Sequence, residues 1–91
     1  MKIVTVKHQY MKKGKKLLFI ALRQDQTLSP GYLIFIKTYY PDKDRKTDNE
    51  ITYQNSGDIL YNRCKYIDTI VFFESEGYSR ISDTEVNSHD N

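Results

Sequence analysis

A single cysteine, Cys64, excludes an internal disulfide framework and any all-cysteine metal site within one chain. A reducing cytosol, bacterial or that of a host cell, is therefore the expected setting. No apolar run approaches the roughly eighteen residues of a membrane span, and the start MKIVTVKH has too short an apolar run for a signal peptide. No membrane partner is expected. There is no glycine-rich phosphate loop and no serine in a nucleophile-elbow sequence. The acids Asp42, Asp44, Asp48 and Glu50 miss the spacing of a calcium loop, because Lys46 and Thr47 stand where its next ligand and its glycine belong. Pro41-Asp42 and Asp44-Arg45-Lys46 carry the letters of a nuclease signature but are crowded into one loop instead of spread over two strands. Cys64, His8 and His89 are not brought together as nucleophile and base by anything in the pattern. No catalytic residue, metal or cofactor is expected, and the chain reads as a binding protein and not as an enzyme.

What is present is a divided charge. Residues 1–46 hold eleven Lys and Arg against three Asp (+8), and residues 47–91 hold three against nine acids (−6), which sums to the net +2. Such asymmetry bears on partners, since a single-sign surface attracts polyions of the other sign. A bias toward Lys, Ile, Asn and Tyr goes with AT-rich coding DNA, so a bacterial, viral or mobile-element source is expected. At 91 residues and 38% hydrophobic, the chain makes one domain with a small core. Ordering a chain costs roughly 1.5 kcal/mol per residue, so a second copy would add useful burial, and a homodimer is one expected state.

The elements follow from period and turn chemistry. KIVTVKH (2–8) alternates as a strand with Val4, Val6 and His8 on one face. Gly14 within MKKGKK is a hairpin turn, and LLFIALR (17–23) is the antiparallel partner, apolar on both faces and therefore central. DQTLSPG (25–31) turns the chain into YLIFIKTYY (32–40), where Leu33, Phe35, Lys37 and Tyr39 share a face. PDKDRKTDNE (41–50) is a loop. Residues 51–67 read either as a hairpin about NSGD or as a helix over 57–65, capped by Asn55 or Ser56, with Leu60, Cys64 and Ile67 inward. DTIVFFE (68–74) and YSRIS (78–82) read as a closing strand pair, and residues 85–91 as a frayed tail after a domain spanning 1–84. The expected fold is α+β and mostly antiparallel, with about five strands and one short helix near 57–65. The alternative is an all-β small barrel, SH3-like or OB-like.

The candidate binding residues are Lys12, Lys13, Lys15 and Lys16 around the hairpin glycine, Lys37, the pair Tyr39 and Tyr40, and Arg45. Flexible ammonium groups reach phosphates, and tyrosine stacks on unpaired bases or anchors protein interfaces. The leading expectation is a small protein that regulates or inhibits a larger protein machine, one that handles nucleic acid being a concrete case. The alternatives are direct nucleic-acid binding through the Lys12–Lys16 hairpin, and a small metal-independent ribonuclease or toxin.

Overall fold

The structure is a computed structural model that describes residues 2–27, 31–39, 49–55 and 58–89. Strands β1 (Ile3–Lys13) and β2 (Lys16–Asp25) form a hairpin whose two-residue turn places Gly14 at φ 59°. Glycine at the first central position with a positive φ, and none at Lys15, is the pattern of a type II′ turn, whose twist suits the flanking strands. Then follow β3 (Tyr32–Tyr39), β4 (Asn49–Asn55), helix α1 (Ile59–Ser75), β5 (Ser79–Ile81) and helix α2 (Asp83–His89). The sheet is antiparallel throughout, in the order β4-β3-β2-β1-β5. It stays open, with β4 and β5 at its edges, so the fold is the expected α+β sheet and not a closed barrel.

Helix α1 covers one face. Met11, Leu18, Ile20, Leu22, Ile34 and Ile36 from the first three strands pack against Tyr66 and Ile70 of the helix. Each such buried aliphatic contributes about 1.5 to 3 kcal/mol relative to exposure. Asn62, fully buried in the same helix, donates from Nδ2 to the Asp58 carbonyl at 2.9 Å. Its Oδ1 finds no partner among the described residues, a loss of about 1 to 3 kcal/mol against a paired carbonyl.

The late chain departs from the sequence expectation in several ways. Segment 49–55 is a strand and 59–75 a helix, so the stretch read as helix or hairpin contains one of each, and 68–74 belongs to α1 instead of a strand. Caps decide this where periodicity could not. Asp58, not Asn55 or Ser56, caps the start by accepting from the Tyr61 amide at 2.8 Å. Gly77, at φ 98°, ends the helix: its amide donates to the Glu74 carbonyl at 3.1 Å and that of Tyr78 to Phe73 at 3.0 Å, with the Tyr78 and Phe73 rings in contact. The helix therefore turns Ile59, Asn62, Tyr66, Ile70 and Phe73 inward, and Cys64 with Leu60 and Ile67 outward, the reverse of the expected face. Strand β5 pairs with β1, Tyr10 facing Ile81. The tail region carries α2, whose Val86 is buried.

One irregularity sets which side chains share a face. Thr5 pairs with Arg23 but Lys7 pairs with Leu22, so Val6 is an extra residue in β1. A bulge inverts the alternation beyond it, which puts His8 on the face opposite Val4 rather than beside it.

Burial raises the Tyr66 phenol above its ordinary 10.0, opposed by the nearby charge of Arg80. The unfolded chain ionises this group first, so its stabilising share is whole below pH 10.0 and declines as pH rises above it. Tyr66→Phe is expected to flatten the loss of stability above that pH, as measured by urea midpoints from pH 8 to 11.

Candidate functional site

The face opposite α1 is assembled by the register of five strands. One row across the sheet runs Ile81, Tyr10, Phe19, Lys37, Glu50. The row nearer the hairpin turn runs Ser79, Lys12, Leu17, Tyr39; the row on the other side runs His8, Ala21, Phe35, Thr52; and beyond it Arg23 lies between Thr5 and Leu33. The rings touch across strands. Tyr10 and Phe19 have centroids 5.0 Å apart, Phe19 and Phe35 6.1 Å, and His8 stacks on Phe19 at 5.7 Å. Ala21, between His8 and Phe35, is fully buried, so the rings close over a position with no bulk of its own.

Cations lie among the rings. The Arg23 guanidinium sits 4.0 Å over Phe35 and 5.9 Å from Phe19. Lys37 Nζ lies 5.0 Å from the Tyr39 ring and 4.0 Å from Glu50 Oε1. Such contacts hold long cationic side chains flat on the sheet at about 0.5 to 1 kcal/mol each where exposed. At the β1 margin His8 Nε2 meets both carboxylate oxygens of Asp83, at 3.1 and 2.9 Å. Phe19, Phe35, Leu33, Tyr10 and Arg23 remain partly exposed, and none belongs to the core under α1.

Of the residues singled out from sequence, Lys12, Lys37 and Tyr39 come together here in adjacent rows. Lys13 does not. It points to the helix side, where Nζ donates to the Glu76 carbonyl at 2.8 Å and sits 5.8 Å from the Tyr78 ring, so it serves as a cationic cap at the end of α1. Lys16 is its register partner, and Lys15 occupies the turn; both are exposed. Tyr40 and Arg45 lie outside the described residues. Sequence reading missed Tyr10, Phe19, Arg23 and Phe35 as a group. The alternation within β3 already joined Phe35, Lys37 and Tyr39, but adding β1 and β2 required the register and the bulge.

The arrangement is suited to contact. Cys64 lies on the outer surface of α1, in a different layer from His8, so the two form no nucleophile and base. Among the described residues no group of three His, Cys, Asp or Glu side chains is placed to hold a metal ion, and no helix is long and apolar enough to cross a membrane. No protein family, curated protein or solved structure matches this chain.

Ala21→Leu tests the ring layer. The added side chain must lift His8 or Phe35, and overpacking of this kind is expected to cost about 1 to 3 kcal/mol in chemical denaturation.

Proposed function

We propose that the protein is a binding module that takes single-stranded nucleic acid on the open face of its sheet. The observation that carries this is the ring layer of Tyr10, Phe19 and Phe35, on three adjacent strands, with Arg23, Lys37 and Lys12 set among and beside it. Bases that are not paired stack on such rings whatever their identity, at about 1 to 3 kcal/mol each, and the cations take the phosphates that pass between. Arg23, whose guanidinium sits 4.0 Å over Phe35, adds a planar cation of the kind that stacks on bases. Lys15, in the turn, extends the positive surface at the hairpin end.

A protein partner is the second reading. Glu50 at the β4 margin and Asp83 beside His8 bracket the rings with acid, and a ring-rich patch with a central arginine also suits the surface of a basic protein, as a regulator of a nucleic-acid-handling machine would need.

Tyrosine fluorescence titrated with oligothymidylate at two salt concentrations separates them. Tyr10→Ala and Phe35→Ala are each expected to weaken binding by about 5- to 150-fold, the equivalent of 1 to 3 kcal/mol. Lys12→Gln and Lys37→Gln should each reduce the salt slope by about 0.7, whereas Lys13→Gln, on the other face, should leave it unchanged. Absence of binding at low salt, or binding that depends on lysines and not on the rings, would reject the nucleic-acid reading and leave the protein partner.

A further inference from the structure

The outer surface of α1 carries Leu60, Cys64, Ile67 and Val71, spaced i, i+4, i+7 and i+11, which is the alternating four and three of a coiled-coil seam. These side chains are on the surface: Leu60 is 65% exposed, Ile67 50% and Val71 51%, and Cys64 is also exposed. The sheet-facing line of the same helix runs through Ile59, Asn62, Tyr66, Ile70 and Phe73. Taking 100° per residue, the seam lies about a third of a turn from that line, on the flank of the helix nearer β1, where Ile67 also lines an open groove with Lys7, Gln9 and Arg80. Helix α1 is thus apolar on two sides, and one side has no cover within the described chain.

Charge on the flanks of the seam points to the occupant. Arg63 and Asp68 are exposed, lie on opposite flanks and are five residues apart. Five is the offset at which side chains meet across a parallel, in-register pair of helices. Two copies of α1 laid side by side in the same direction would set Arg63 against the partner's Asp68, and by symmetry Asp68 against the partner's Arg63. An antiparallel pair would turn the Arg63 flanks toward each other and the Asp68 flanks likewise, and loses both attractions. We infer that α1 pairs in parallel with α1 of a second copy through Leu60, Cys64, Ile67 and Val71. The helix is already held by its own sheet, so this pairing carries none of the nucleation cost that makes short isolated seams weak. The two sheets lie on the outside of the helix pair, and both open faces stay accessible. The pairing uses a different layer from the proposed nucleic-acid face and stands whatever that face binds.

Sedimentation equilibrium of the full chain is expected to give twice the 10.8 kDa chain mass. Ile67→Glu with Val71→Glu, both at exposed positions, should weaken association by at least about a hundredfold while leaving the far-ultraviolet spectrum unchanged, the effect of losing two apolar side chains from an interface. Arg63→Glu should also weaken it, and Arg63→Glu combined with Asp68→Arg should restore it. Cys64 sits at the same layer in both copies, so diamide as the oxidant should join the dimer through Cys64 and leave Cys64→Ser unjoined. A chain that stays monomeric at the highest attainable concentration overturns the proposal. So does a dimer indifferent to the glutamate pair, a double charge exchange that fails to restore association, or a dimer that diamide does not join.

Discussion

Strand β2 is apolar on both faces, and the rest of the molecule is arranged to cover it twice. Leu18, Ile20 and Leu22 lie under helix α1. Leu17 and Ala21 point the other way and are buried too, at 5% and 0% exposure, without a helix of comparable length above them. Cover there comes from side chains of the sheet itself: Phe19 beside them, Tyr10 and His8 from β1, Phe35 from β3, and the guanidinium of Arg23 across Phe35. A small α+β sheet with a single long helix leaves one face to water, and large rings protect it because each shields much area from a single backbone position. The same rings are only partly buried, so they keep a surface of their own toward solvent while the fold stays closed.

The divided charge of the sequence is resolved by topology. Strands β1, β2 and β3 carry the positive half and occupy the middle of the sheet; the later half of the chain forms both margins, with Glu50 on β4 at one and Asp83, at the start of α2 just after β5, near the other. Lys37 meets Glu50 across one boundary, and His8 meets Asp83 near the other. Part of the split is therefore neutralised within the sheet, by pairs that contribute a few tenths of a kcal/mol to about 1. Lys12 and Lys15 lie toward the hairpin turn, Lys12 on the open face beside Ser79 and Lys15 in the turn itself. Lys13 takes a different part, closing the end of α1 at the Glu76 carbonyl. Four lysines that look equivalent in sequence thus divide between the open face (Lys12), the turn (Lys15) and the helix side (Lys13 and Lys16).

The first half of the fold was legible because its signals are local. Glycine between lysines marks the β1–β2 turn, alternation defines β3, and an apolar run identifies the central strand. The second half was not, because DTIVFFE is β-branched and aromatic by composition yet helical in context. Its strand propensity is outweighed by Asp58 and Gly77, cap residues that flank the seventeen-residue helix and make sense only as a pair. The inward face of α1 was inverted for a related reason: both sides of this helix are apolar, and only the sheet decides which is covered. For the candidate site, Lys12, Lys37 and Tyr39 could be named from residue type, whereas the face taken by His8 and Tyr10 depends on the extra residue Val6, whose presence in β1 shifts every later side chain of that strand by one position, and Arg23 joins them only through the register of β2 against β1 and β3.

The central claim is that the face bearing Tyr10, Phe19 and Phe35 both closes the fold and receives the ligand. Side-chain NMR of the full chain during titration with oligothymidylate tests this most directly. The expected result is that ring resonances of Tyr10, Phe19 and Phe35 and the Arg23 Nε signal move together, while Tyr66, Ile70 and the outer residues Leu60 and Val71 of α1 stay in place. Movement centred on α1, or none on the rings, would contradict it.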